Sequence, residues 1–140
     1  GPAFQLYTIE FYRVLAQKLK SKGIFVVQAG SGSLLQIDLH LKLYNTLKKV
    51  FPVVHSYSAY VPSFDVPWAF LLCSKDKSVD PLKISARDVD RRIQKRVSKP
   101  LSFYDGMAHE GLFRIPKNLR KILAAEKDVV TLKKPMFFYN

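Results

Sequence analysis

Two apolar segments of strand length, residues 53–61 and 68–73, are separated only by Pro62-Ser63-Phe64-Asp65-Val66-Pro67. A parallel crossover needs a dozen residues or more, so a link of about six requires the two strands to run antiparallel. The flanking prolines fix φ and withhold ladder donors, which predicts a tight, rigid loop. Asp65 sits inside that loop, with Phe64 before it and Trp68 just after it. Loops held between strands often line pockets, which makes Asp65 a candidate site residue. The competing reading is structural: Phe64 and Trp68 cap the core and Asp65 makes a turn.

Upstream, Phe11, Val14, Leu15 and Leu19 recur at helical spacing. Thr8 is placed to cap that helix, and Gly23 to end it in the left-handed conformation. The unbroken run Ile24-Phe25-Val26-Val27 suits a strand covered on both faces, as in a parallel sheet. Residues 29–33 read as a loop. Leu35, Leu39, Leu43, Leu47 and Val50 form the stripe of a second helix, which Pro52 stops, with His40 facing solvent. Beyond Cys73 a polar linker leads to Ser85, which with Asp88 resembles a capping box. Val89, Ile93 and Val97 give the next helix its inner stripe, and Pro100 ends it. Pro116 opens a last helix at its first turn, with Leu119, Ile122 and Leu123 inward. Residues 129–132 and 136–139 are predicted as short terminal strands. Residues 1–74 thus read as an α/β unit and 75–140 as a helical extension packed on it.

Charge gives a second, weaker constraint. The 140 residues carry 23 Lys+Arg against 11 Asp+Glu, a net charge of +12. That excess raises the alternative of a basic module for nucleic acid or another polyanion. Placement argues against it. In residues 87–99 the acids Asp88 and Asp90 precede Arg91, Arg92, Lys95 and Arg96, the order that complements a helix dipole. Single-strand platforms interleave exposed aromatics with bases, whereas these aromatics sit in apolar-patterned segments. Nucleic acid is therefore not an expected partner. With Cys73 as its one cysteine, the chain cannot form an internal disulfide or a cysteine-based zinc site. No apolar run approaches the ~20 residues of a membrane span, and no secretion signal opens the sequence. A reducing, cytoplasmic setting is the expectation.

Few constellations suggest chemistry by themselves. Gly30-Ser31-Gly32 follows a strand and precedes a helix, as in a dinucleotide fingerprint. Leu35 stands where the third glycine belongs, so a strand-to-helix turn is the better reading. His40, His55 and His109 lack metal-ligand spacing, and no metal is expected. His109 has a local hydrogen bond with Glu110 as its simplest role. Gln28 ends a buried strand. Ligands of open α/β sheets bind at such strand ends, but a satisfied structural amide is the equal alternative.

Several stretches together resemble one family. Gly1-Pro2-Ala3-Phe4-Gln5-Leu6-Tyr7-Thr8-Ile9-Glu10-Phe11-Tyr12 resembles the segment after the catalytic motif of spermidine synthases. Gly23-Ile24-Phe25-Val26-Val27-Gln28-Ala29-Gly30 resembles their next strand. Val50-Phe51-Pro52, Tyr57-Ser58-Ala59-Tyr60-Val61-Pro62-Ser63-Phe64 and Trp68-Ala69-Phe70 continue the likeness, as do Asp88-Val89-Asp90-Arg91-Arg92-Ile93 and Phe103-Tyr104-Asp105-Gly106. The short loop before Trp68 and the Tyr104-Asp105-Gly106 element are more similar to thermospermine synthases.

The resemblance implies the C-terminal half of a Rossmann-like, methyltransferase-type α/β sheet with an antiparallel strand pair at its end, plus C-terminal helices. It implies transfer of an aminopropyl group from decarboxylated S-adenosylmethionine, a co-substrate rather than a cofactor, to an amine such as spermidine or putrescine. Methylthioadenosine leaves. By the same resemblance Pro2 touches the adenosyl moiety and Gln28 lines the junction of the donor and amine sites. Trp68 is pocket wall, and Phe64 replaces a family Tyr that helps hold the amine, so a hydroxyl is lost. The family's glycine-rich loop, ribose-holding acid and catalytic Asp precede the matching segment and do not occur here. No catalytic residue is therefore assigned in this chain. It is expected to need the missing N-terminal half, to be inactive alone, and to belong to a homo-oligomer. The strand at residues 24–27 is expected to show an unpaired edge and to promote self-association.

Overall fold

A computed structural model of the chain describes residues 2–137. After a 3-10 turn over Pro2–Tyr7, the order is helix α1 (Ile9–Lys18), strand β1 (Ile24–Ser31), helix α2 (Asp38–Lys48), strand β2 (Val53–Val61), strand β3 (Val66–Ser74), a 3-10 turn at Pro81–Lys83, and helices α3 (Ala86–Arg96), α4 (Gly106–Phe113) and α5 (Lys117–Ala125).

The short link does what its length requires. β2 and β3 pair antiparallel in unbroken register from Val53 opposite Ser74 to Val61 opposite Val66. Asp65 closes the turn at φ 52°, in the left-handed region that Asp tolerates better than most residues. The sheet order is β1-β3-β2. β1 also pairs antiparallel with β3, which corrects the expectation of a parallel neighbour. β1 and β2 therefore run in the same direction, joined through α2, with β3 inserted between them.

Alternation along the strands separates two faces. Ala69, Leu71 and Cys73 of β3 are buried, the last two against Tyr12, Leu43, Leu47 and Phe51. Burial pushes the Cys73 thiol up to about 12, so it stays protonated. Ile24 and Val26 of β1 are 52% and 44% exposed. The apolar run is thus covered on one face only, contrary to the doubly covered reading. Among the described residues β1 pairs on one edge alone, as expected.

α1 is capped by Thr8, whose hydroxyl accepts from the Phe11 N–H at 3.3 Å. Its buried positions are Ile9 and Tyr12, and Val14 turns outward, against the predicted stripe. Gly23 is not the helix stop. Leu19 leaves the helix in an extended conformation, and the Lys75 ammonium donates to the open carbonyls of Ala16 and Leu19. That cation supplies the C-terminal capping that no glycine provides.

α2 begins at Asp38, which leaves Leu35 in the preceding turn and 95% exposed. His40 is buried, not solvent-facing, and its Nε2 lies 2.7 Å from Ser56 Oγ on β2. Glu126 leaves α5 in an extended conformation, and the segment that follows is a strap, not a strand. Val130 is buried; its N–H donates to Thr46 Oγ1 at 2.9 Å and its carbonyl accepts from Ile9 N–H at 2.9 Å. Residues 136–137 are not a strand either, and 138–139 lie outside the described residues.

In the C-terminal part Ser85 caps α3 through the Asp88 N–H at 3.1 Å. Val89 is buried, but Val97 is exposed and the helix ends before Pro100. α4 is a helix that the sequence pattern does not predict. Asp105 caps it, and the Asp90 carboxylate accepts from Gly106 N–H at 2.7 Å. A Cβ at Gly106 would lie 2.1 Å from the Ala86 carbonyl oxygen, so α3 and α4 meet where only glycine fits. His109 ignores Glu110. Its Nε2 lies 2.7 Å from the Pro81 carbonyl and its Nδ1 2.5 Å from the Tyr104 hydroxyl. A carbonyl only accepts, so Nε2 carries the proton and Tyr104 donates to Nδ1. Pro116 stands one residue before α5, as its N-cap.

Candidate functional site

The end of the sheet near the β2–β3 turn gathers the residues that the sequence singles out. β1 gains one residue on β3 between the pairs Gln28–Phe70 and Ser31–Trp68. Gly30, at φ 79°, takes up that bulge. Gly32 follows in close approach, its N–H donating to the Pro67 carbonyl at 2.7 Å. The glycines therefore shape a strand end and do not form a phosphate cradle.

Gln28 and Phe70 are opposite one another, so Gln28, Phe70 and Trp68 share the face of the sheet turned away from α2. The Trp68 indole N–H donates to Gln28 Oε1 at 3.0 Å. Phe64 stacks on Trp68 with ring centroids 4.1 Å apart and planes at 21°. Asp65 is held from β2: the Tyr60 hydroxyl donates to its Oδ1 at 2.7 Å. That donation raises the Tyr60 phenol pKa, because the proton is shared with a carboxylate. Gln28, Phe64 and Trp68 thus form one cluster, whereas Asp65 turns at the loop tip to Tyr60, which the register places on the opposite face of the sheet. Pro2 lies in the opening 3-10 turn.

Tyr60 is the partner that sequence reasoning missed. Its signal was present: it sits two residues before Pro62 on the strand leading into the loop, where a side chain can reach the loop's acid.

The chemistry of the cluster is that of a wall. It offers an aromatic face and an amide whose carbonyl keeps a second lone pair beside the indole N–H. Such a surface suits an alkyl chain carrying ammonium groups, through apolar contact, cation–π attraction and a hydrogen bond to the amide. It contains no nucleophile paired with a base. The three histidines stay apart, on Ser56, on Asp80 and on Tyr104 with Pro81. Among the described residues no three of His, Cys, Asp and Glu converge, and no helix is long and apolar enough to cross a membrane.

Comparison with known proteins identifies the family. Residues 1–83 match the spermine/spermidine synthase domain, and the chain belongs to that family. It is 42% identical over 137 residues to polyamine aminopropyltransferase 2 of Hyperthermus butylicus, covering 98% of this chain and 44% of that protein. It is 34% identical over 142 residues to thermospermine synthase ACAULIS5 of Arabidopsis thaliana, covering all of this chain and 41% of that protein. The crystal structure of the spermidine synthase from Thermotoga maritima superimposes with a TM-score of 0.69 at 27% identity, over 86% of this chain and 40% of that one. The chain thus spans less than half the length of the relatives it matches, and corresponds to their C-terminal part.

Proposed function

We propose that this chain supplies the amine-facing wall of an aminopropyltransferase of polyamine biosynthesis. An amine nitrogen of spermidine or putrescine attacks the carbon next to the sulfonium of decarboxylated S-adenosylmethionine. The C–S bond breaks, its electrons pass to sulfur, methylthioadenosine leaves, and the nitrogen loses a proton. Orientation dominates such a reaction. The Phe64–Trp68 face holds the cationic chain, Asp65 adds a carboxylate at the loop tip, and Gln28, steadied by the Trp68 N–H, accepts from an ammonium at the junction with the donor. Pro2 borders the adenosyl group.

The observation that carries this reading is the contact of Gln28 with Trp68 and of Trp68 with Phe64 on one face of the sheet, in a chain of the spermine/spermidine synthase family. Electrostatics adds a condition. A chain of net charge +12 repels a polycation, and the nearest carboxylate, Asp65, is engaged by the Tyr60 hydroxyl. The remaining acids, including the base that activates the amine, come from a segment outside these 140 residues. The chain alone is therefore inactive.

The test is release of methylthioadenosine from decarboxylated S-adenosylmethionine and spermidine. The expected result is none with the chain alone and turnover when it is joined to an upstream half containing the donor-binding loop and catalytic Asp. Trp68→Ala in the joined enzyme is expected to raise KM for the amine about tenfold, the loss of roughly 1.4 kcal/mol of aromatic contact. Turnover by the chain alone would overturn the division of labour. An unchanged KM would remove Trp68 from the site. Salt-steep binding to DNA or RNA without any transfer would instead favour the polyanion-binding alternative.

A further inference from the structure

The edge of the sheet opposite β1 follows a groove. One cavity of about 320 Å³ is lined by the consecutive β2 residues 53–56, facing Tyr44, Lys48, Phe113, Arg120 and Leu123. A second, of about 140 Å³, is lined by residues 56–58, facing Gly111, Leu112, Ile115 and Leu119. Ser56 and Ile115 line both, so the two adjoin. Consecutive residues of a strand point to opposite faces. A cavity lined by all of them therefore opens on the backbone edge. Six residues of strand extend roughly 20 Å.

That edge is unpaired. β2 bonds only to β3, and in an antiparallel pair every second residue directs its N–H and C=O away from the partner. Among the described residues no other hydrogen bond reaches the backbone of residues 53–58. The α4–α5 connection forms the far wall of the groove without bonding to the strand.

Charge identifies the occupant. Lys48 and Arg120 line the wider cavity, and neither has a carboxylate within ion-pair distance among the described residues. Arg120 is steadied by donating to the Ile115 carbonyl at 2.6 Å. The acid there, Asp80, is already engaged by His55 at 2.8 Å and by the Leu82 N–H at 2.9 Å. The groove's uncommitted charge is therefore positive. Symmetric pairing of two copies along this edge would set Lys48 and Arg120 against the same cations of the other copy, so self-pairing here is disfavoured.

We propose that the β2 edge binds an extended acidic segment of a partner protein, which adds as a strand along residues 53–58 and places carboxylates at Lys48 and Arg120. Main-chain pairing supplies affinity and the two cations supply selectivity. The site lies at the other edge of the sheet from β1 and uses no residue of the proposed amine wall, so it stands or falls separately from the enzymatic reading.

The probe is a capped, fluorescently labelled peptide of alternating valine and glutamate, six residues long, with its valine–lysine counterpart as control. The 140-residue chain is titrated by anisotropy, and amide hydrogen exchange is followed with and without peptide. The expected result is saturable binding of the acidic peptide at least tenfold tighter than the basic one, with exchange slowed at residues 53–58. Lys48→Glu with Arg120→Glu is expected to reverse the preference. Both side chains are exposed, and the far-ultraviolet circular dichroism of this variant is expected to match that of the parent. Absence of saturable binding, equal affinity for the two peptides, or an unaltered preference in the double variant would overturn the proposal. So would protection located at residues 24–31, or a peptide-independent dimer protected at 53–58.

Discussion

The two edges of this three-stranded sheet are built from similar material and meet opposite fates. β1 presents Ile24 and Val26 at 52% and 44% exposure and pairs on one side only. On β2, Val53, Val54 and Ser56 are each 5% exposed, and the strand is flanked by α2, α4 and α5. β2 is covered by residues up to 70 positions later, Val53 and Leu123 lining one cavity. β1 has thinner cover: Ile24 lines a cavity with Tyr104, His109 and Phe113 and is still half exposed. An apolar run on a half-open strand is the signature of a surface suited to further chain, in keeping with relatives more than twice as long.

The comparison is sharpened most by acid. His40, behind β2, is buried, with Ser56 Oγ 2.7 Å from its Nε2. Burial pushes its pKa from 6.5 to about 4, with a smaller opposing pull from the Ala29 carbonyl. The unfolded chain therefore binds the proton first. The stabilisation is complete above pH 6.5 and is lost as pH falls toward 4. The full swing is about 3 kcal/mol, since each pKa unit is worth about 1.4. Urea unfolding at pH 7 and pH 4.5 should show most of it, and His40→Gln should flatten the difference. A variant that keeps the whole pH dependence would place its origin elsewhere.

These two regions also differ in how far the sequence revealed them. The β2–β3 pair was legible because a six-residue link leaves one pairing direction. The pairing of β1 with β3 was not, since nothing local orders non-consecutive strands. His40 was misjudged because its partner, Ser56, is 16 residues on, and helical spacing alone does not say which side is covered. α4 was hidden by its glycines: Gly106 reads as a breaker, yet close approach to Ala86 requires it. At the site, Gln28 came from its strand and Asp65 from its loop, and resemblance to a family gave Gln28, Phe64 and Trp68 their roles. That Gln28, Trp68 and Phe64 meet while Asp65 turns to Tyr60 was a matter of tertiary structure: the bulge at Gly30 sets the register in which Trp68 reaches Gln28.

That bulge gives the next test, on the β1 side. Gly30 has φ 79°, and a Cβ there would lie 3.2 Å from Leu39 Cδ2. Gly30→Ala incurs both left-handed strain and a tight contact, about 2 kcal/mol in all. Thermal unfolding should report that loss. In the joined enzyme the amine KM should rise as well, because the strand end carries Gln28. A stable variant with normal KM would show that the bulge relaxes freely and that the register of this edge is not fixed by glycine.

The smallest effect bears most directly on the contrast between the edges. If the exposed β1 edge is a pairing surface, the chain self-associates through it. Light scattering is then expected to show mass increasing with concentration. Val26→Lys places a charge on the open face of that strand, a device by which edge strands resist pairing. At 44% exposure the ammonium reaches water, so folding is little affected while association weakens by about tenfold, or roughly 1.4 kcal/mol. Lys48→Glu, on the β2 side, should leave association unchanged. A chain that is monomeric at every concentration would mean that β1 is protected without further chain, and an association sensitive to Lys48→Glu instead would transfer the pairing surface to the grooved edge.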